Sequence, residues 1–480
     1  MLRRDLHTLT HRTHDVVIVG GGIHGAAAAW EAASRGLSVG LLEADDFGGG
    51  ASWNSLKTIH GGLRHLQRLD VAGLRESARE RQALMTMAPA LVRPLGFLAL
   101  ASGRGVHGRA ALALGLAAAR LLSRDLEAVA PPGARRAGAV ASTEVLPLVP
   151  GLDDGRGGGA LWWDAQVDSS ERLVLALLHA AADAGAVVAN RLTVTGVMRE
   201  EETVTGVVAR DALTGDTLEV QGEVVLNTAG FAVDALTRGA GVPPPKVTPL
   251  RAVNLVLRKA IAREVAVGVR SRGRYLFAVP WRDRTIVGTA YGPVTTPAAA
   301  LAADFLAEAA RAFPWAGLQA ADVSLVHQGV VPGTGHGNGL VTRSRLIDHD
   351  HEHGVPGLLT VVAAKYTTAR AVAEQAVDLI EERLERPHVA SRTSLVPLPE
   401  ARLLEGTLRD RARTAVQKEM ALSLADAVLR RLDLGTAGEP ASEDVGVVVS
   451  VMAHEFGWDL ARIGTERAAL AGFYAERRFK

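Results

Sequence analysis

The segment "KTIHGGLRHL", residues 57–66, brings His60, Gly61, Gly62 and Arg64 close together in the chain. An imidazole that titrates near neutrality accepts a proton, and a guanidinium never loses its charge. Together they have the parts to abstract a proton beside a developing oxyanion. The glycines admit close approach of another group to the backbone. Taken alone, H-x-x-x-R reads as a loop histidine and a surface arginine, so context must decide. A second constellation precedes it. Gly20, Gly22 and Gly25 make a G-x-G-x-x-G pattern, with Glu43 further on. Such glycines let the backbone approach a pyrophosphate whose charge meets the N–H groups of a helix N-terminus, while a carboxylate ending the next strand accepts ribose hydroxyls.

These residues need a particular set of elements. "DVVIVGGGIHGAAAAWEAASRGLSVGLLEADDFG", residues 15–48, reads as a buried strand, a glycine turn, an Ala-rich helix ending near Gly36 and a second strand stopping at Glu43. With strand, helix and acid all present, the pattern indicates a bound dinucleotide; a bare glycine turn would not. The fingerprint leaves NAD and FAD both open. A long helix is expected at 70–87, then a mixed region to about 150 that includes the loop-like "APPGARRAGA". Asp168 or Ser169 should cap a helix that Gly185 ends. "EVVLNTAG" should be a strand running into a turn and helix, and strands at 250–258, 275–280 and 284–290 suggest a second sheet with "PWRDR" as a hairpin. From about 397 the chain reads as helical and charged.

Composition narrows the chemistry. Lys plus Arg number 53 against 52 Asp plus Glu, so no net field gathers nucleic acid, and any anion site must be local. The absence of cysteine excludes disulfides, thiolate metal sites and thiol relays, which leaves redox chemistry to a bound cofactor. "MLRRDLHTLTHRTH" lacks an apolar run and reads as a loose basic arm. No stretch is long and apolar enough to span a membrane. "ALALGLAAARLL", with Arg109, Arg120 and Arg124 around it, reads as a packed helix ahead of a membrane-surface one.

The segment after Glu43, "GGGASWNSLKTIHGGLRHLQ", together with "NTAGFAVDAL", "PWRDRTIVGT" and "LLTVVAAKYTTARAVAEQAVDLI" in the same order, resembles the FAD-dependent glycerol-3-phosphate dehydrogenases and oxidases of the glycine-oxidase-like flavoproteins. The resemblance runs over about residues 15–480 and selects FAD. It implies an α/β fold in which a Rossmann-like FAD-binding domain (15–90, 160–240, 340–385) is interleaved with a mixed-sheet substrate domain (91–159, 241–339), and a helical C-terminal domain follows (397–480). It implies oxidation of a carbinol carbon by hydride transfer to flavin N5, with His60 as base, Arg64 as anchor and Lys365 of "AAKYTTAR" tuning the flavin. The implied cofactor contacts are Gly20, Gly22, Gly25, Glu43, Ala51, Ser52, Ser55, Lys57, Gly61, Gly62, Thr193, Ala229, Gly230, Ala364, Lys365, Tyr366 and Thr367. The implied partners are a small-molecule substrate and an electron acceptor such as quinone or oxygen, in a cytoplasmic protein with peripheral membrane contact left open.

Departures from the family pattern fall on the substrate side. The family's phosphate-binding arginine belongs to a G-V-R-P motif, and here "GVVPG" puts Val331 at that place. Arg251, Arg343 and Arg345 are candidate replacements. "GTAY", residues 288–291, stands for G-T-T-D; Ala363 and Ala364 replace a glycine pair, and His65 an aromatic. A non-phosphorylated polyol, a hydroxy acid, a sugar derivative or an amine is therefore the alternative substrate. "GTGHGNG", residues 333–339, is expected as a loop beside the site. "DHDHEH", residues 348–353, is expected as a solvated turn without metal, since its ligands are consecutive.

Overall fold

In the computed structural model the described residues are 1–63, 65, 69–101, 108–122, 130–152, 158–334 and 339–479. Two sheets organise them. The first runs Arg345–Asp348, Leu358–Val362, Thr217–Asn227, His14–Val19, Val39–Leu42, Val187–Ala189. All but the first of these strands are parallel. Burial on both faces explains the unbroken apolar run "VVIV". The helices Ile23–Ser34, Ser170–Asp183 and Ala369–Arg383 pack on one face around Val16, Ile18 and Leu41. The alanines of the first helix permit that close three-helix contact. The antiparallel hairpin Leu192–Glu200 and Thr203–Asp211 covers the other face.

The second sheet runs Val323–Gly333, Thr248–Leu257, Arg284–Pro293, Arg274–Trp281, Val265–Ser271, Val92–Leu100, Gly159–Val167, Thr58–Ile59. It is antiparallel except between Val265–Ser271 and Val92–Leu100. One face packs on the helix Ala298–Ala312. The chain crosses from the first sheet into the second directly before His60, which places the histidine at the junction. The expected hairpin forms at Trp281 and Arg284, and Ser169 rather than Asp168 caps its helix by accepting from the Arg172 N–H.

C-terminal helices at Leu408–Glu419, Ser442–Phe456 and Leu460–Arg477, with a π-helical turn at Asp426–Arg431, pack against Val256, Trp281 and Ile286 of the second sheet. They also hold the loop that follows Glu43. Asp46 is fully buried and accepts from Arg431 Nη1 (2.8 Å), Arg431 Nη2 (2.7 Å), Arg430 Nε and Asn190 Nδ2 (3.0 Å).

Two expectations require correction. The N-terminal arm is not loose: Leu2 and Leu9 are buried, the Leu2 N–H donates to Lys418 O (2.9 Å) and Arg4 pairs with Asp211. Apolar side chains among the arginines outweigh the basic composition. "DHDHEH" is not wholly a solvated turn, because Asp348 caps a short helix His349–His353 and His349 is buried against the Thr360 hydroxyl. The helix Arg109–Leu122 packs through Leu116 and Ala119 yet leaves Leu114 and Leu121 exposed. Arg124 and residues 335–338 of "GTGHGNG" lie outside the described residues. No described helix is long and apolar enough to cross a membrane.

Asp46 yields a stability prediction. Burial raises its carboxyl pKa, but Arg431 and Arg430 outweigh burial and hold it far below the ordinary 3.8. The pair's contribution is therefore complete above that value and is lost only as pH falls below it. Asp46→Ala leaves two buried guanidinium groups uncompensated and should cost about 3–5 kcal/mol in urea unfolding at neutral pH. A change under about 0.5 kcal/mol would assign the cluster a surface-like role.

Candidate active site

The glycine turn is built by close packing. Gly20 has φ +108°, and a Cβ there would lie 2.7 Å from Thr228 O. A Cβ on Gly25 would lie 1.9 Å from Gly20 O, so the helix start sits directly on the strand end. Thr228, directly after the neighbouring strand, donates its hydroxyl to the carbonyls of Val19 (2.9 Å) and Gly20 (3.0 Å). Ala229 and Gly230 follow on that side, and Gly230 has open space around it. Ser52 Oγ accepts from the Ile23 N–H (3.0 Å), which ties the later loop to the first turn of the helix, beside Gly22.

Glu43 Oε2 accepts from the Gly21 N–H (2.6 Å) and Oε1 from the Asp45 N–H (2.9 Å). Burial, aided by Asp45 and Asp46, pushes its carboxyl pKa up against those two donors. Its remaining lone pairs suit hydroxyl donors such as those of a ribose. The turn, helix start and acid therefore fit a dinucleotide. Thr193 is exposed on the strand whose Leu192 N–H donates to Glu43 O (2.8 Å).

His60 emerges beyond the edge strand Thr58–Ile59, with its side chain about half exposed (50%). Its Nε2 lies 2.8 Å from the Thr58 hydroxyl, and its Nδ1 is 3.7 Å from Asp164 Oδ2. Asp164 is buried and accepts from the Gly61 N–H (2.7 Å), Arg81 Nη1 (2.7 Å) and Trp162 Nε1 (3.1 Å). Burial raises its carboxyl pKa, but His60 and Arg81 outweigh burial and keep it below the ordinary range. A Cβ on Gly61 would lie 1.9 Å from Arg81 Nη1 and 2.7 Å from Asp164 Oδ1, so a side chain there would have to displace that ion pair. Gly62, at φ +86°, packs on Ser77 and Leu74. The His60 ring lies 5.7 Å from that of Phe97, which continues into Trp162, Phe277 and Tyr275 as an aromatic wall on the second sheet. Arg64 lies outside the described residues.

Lys365, between the strand Leu358–Val362 and the helix Ala369–Arg383, lines a cavity of about 140 Å³ with His65, Glu76, Arg343, Ser344 and Thr368. Ala364 donates its N–H to Ser344 Oγ (3.0 Å), Tyr366 its hydroxyl to Ser170 O (2.8 Å), and Thr367 is buried. Arg343 pairs with Asp70 at 2.9 Å.

Other expected residues have protein partners of their own. The Lys57 ammonium is fully buried and donates to Trp53 O (3.0 Å), Ser170 Oγ (2.8 Å) and Glu171 (2.9 Å), so it serves the protein interior and has no donor left for a ligand. Ser55 Oγ accepts from the Lys57 N–H. Ala51 and Asn54 approach Gly329, and Val331, two residues on in the same strand, shares that face. Arg251 pairs with Val330 in register and so lies on the opposite face, where it donates to Thr296 O, Val294 O and Gln328. It cannot stand in for an arginine at 331. Arg345 begins the edge strand of the first sheet and is exposed. The residues that the sequence reading missed are Asp164 and the pair His65 and Asp70. A lone acid in the aromatic strand "LWWDAQV" was the signal available for the first.

Residues 15–379 match the family described as FAD dependent oxidoreductase. A glycerol-3-phosphate dehydrogenase of Mycobacterium leprae is 34% identical over 380 residues, covering 76% of this chain and 62% of that protein. Another from Synechocystis is 30% identical over 422 residues, 83% of this chain and 75% of that protein. The structure of glycerol-3-phosphate dehydrogenase from Bacillus halodurans complexed with FAD superposes with a TM-score of 0.72 at 20% identity, covering 98% of this chain and 96% of that one. The chain thus spans less than two thirds of the length of the mycobacterial relative.

The glycine packing predicts the effect of one methyl group. Gly25→Ala should push the helix start off the strand end at a cost of about 1–3 kcal/mol, weakening FAD binding by about ten- to hundred-fold. The check is flavin content after dialysis, with Gly464→Ala, whose Cβ meets open space, as the control. Wild-type FAD affinity in Gly25→Ala would contradict the cradle.

Proposed function

The chain belongs to the FAD dependent oxidoreductase family, with FAD as its cofactor, and on that premise we propose that it oxidises the carbinol carbon of a small polyol of the glycerol 3-phosphate type. The observation that carries this reading is the placement of His60 at the sheet junction, half exposed, beside a buried carboxylate. Bound FAD supplies the two-electron acceptor that takes the hydride. His60 takes the hydroxyl proton on its imidazole, and Asp164 at 3.7 Å provides an anionic neighbour for the ring once it carries that proton. Asp164 also accepts from the Gly61 N–H, so the imidazole and the glycine pair have one anionic neighbour in common. In this reading Arg64 anchors the alkoxide oxygen, and Lys365 supplies a cation where negative charge gathers on flavin reduction.

Val331 supports a second reading of the substrate, in which the phosphate is absent or held elsewhere. It sits on the face of the second sheet turned toward Ala51 and Asn54 and offers only an isopropyl group. Of the candidate replacements, Arg251 points away, whereas Arg343 lines the Lys365 cavity, where it pairs with Asp70. Quinone or oxygen remains the proposed acceptor.

Glycerol 3-phosphate binding, followed by flavin absorbance, tests the substrate. Weak binding is expected in the wild-type protein, and Val331→Arg should tighten it by about 1.5–3 kcal/mol, the size of one charge-assisted contact. If Arg343 holds the phosphate, Arg343→Ala should weaken binding by a similar amount. Tight wild-type binding indifferent to both substitutions would show that the phosphate site lies elsewhere.

A further inference from the structure

Lys365 does not reach its cavity unassisted. Its ammonium meets His65 Nε2, and His65 Nδ1 lies 2.7 Å from Asp70 Oδ2. An ammonium has only donors, so His65 must accept at Nε2 and carry its proton on Nδ1, where it donates to Asp70. Both ends of the ring thus require the same neutral tautomer. Asp70 is fixed in turn: it caps the helix Val71–Met87 by accepting from the Gly73 N–H (2.9 Å), and it accepts from Arg343 (2.9 Å). Gly73 leaves the room, since a Cβ there would lie 2.4 Å from Asp70 Oδ2 and 2.5 Å from His65 Nδ1. His65 itself is buried, and its N–H donates to Gly62 O (2.8 Å), which joins the dyad to the glycine pair beside His60.

We infer that His65 is a positioning residue for the cofactor's electronics: with Asp70 behind it, its neutral imidazole orients the Lys365 ammonium in the cavity, and protonation of the imidazole removes that acceptor. The inference rests on the reading of Lys365 as the cation that faces the flavin.

Among the described residues, the charged groups around the imidazole are Lys365, just after the strand Leu358–Val362, Asp70 and Glu76 at the start of the helix Val71–Met87, and Arg343 from the segment before the edge strand. Burial, then Lys365 and Arg343, lower the histidine's pKa from 6.5 against the opposing pull of Asp70. The neutral, accepting form is therefore complete through neutral pH and is lost as pH falls below the ordinary histidine range. A protonated ring cannot accept from an ammonium and repels it.

The test is the midpoint potential of the bound FAD against pH in wild type, Lys365→Met, His65→Leu and His65→Gln, each with its flavin content measured. Lys365→Met should lower the potential at neutral pH by about 30 mV or more, a ten-fold change for a two-electron couple. His65→Leu should lower it similarly although Lys365 is intact. His65→Gln keeps an acceptor for the ammonium and should restore the neutral-pH potential, but without the inflection below pH 6.5 expected of wild type. An unchanged potential in Lys365→Met would overturn the reading of that lysine. A shifted Lys365→Met with an unshifted His65→Leu would overturn the role of His65 alone. Should His65→Leu fail to hold FAD, an inflection that persists in His65→Gln overturns the proposal just as well.

Discussion

One buried carboxylate joins the two halves of the candidate site. Asp164 stands on the second sheet, yet its oxygens are taken by the Gly61 N–H, by Arg81 and by Trp162, and they face His60. A buried carboxylate left unpaired would cost several kcal/mol, so these donors are required and are not interchangeable. Their requirement fixes the path of the chain where it passes from the nucleotide-binding sheet to the second sheet. The same carboxylate lies 3.7 Å from the His60 ring, so the glycine backbone and the imidazole share one anionic neighbour.

The loop between Glu43 and His60 is held by groups far away in sequence. Asp46 is locked by Arg430 and Arg431 of the C-terminal helices, Ser52 by the first turn of the glycine helix, and Lys57 by Glu171. The C-terminal helices therefore act on the candidate site without lining it, by clamping the loop that carries it. The same economy recurs at His65, where a helix cap, a glycine without a side chain and a lysine from the first sheet meet on one ring.

Legibility in the sequence followed locality. The glycine fingerprint, its helix and the acid at the next strand end could be read because local spacing and the flanking strand and helix decide them, and the interleaved α/β arrangement was what the family resemblance implied. Asp164 could not be read, since its partners Gly61 and Arg81 are 103 and 83 residues away. Lys57 looked like a cofactor contact by its place in a motif, but Glu171, 114 residues on, takes its charge. The basic N-terminal arm looked unattached because nothing local marks Leu2 as the partner of Lys418 and Glu419. In each case an ionic or apolar group found a distant complement, which composition and periodicity do not encode.

The most direct measurement is the anaerobic rate at which substrate bleaches the bound flavin, with glycerol 3-phosphate tried first, in wild type and His60→Ala. If His60 is the base held by Asp164, the variant retains its FAD and the rate falls by about 10²-fold or more. Equal rates in the two proteins would contradict the account and reduce His60 to a packing residue of the sheet junction.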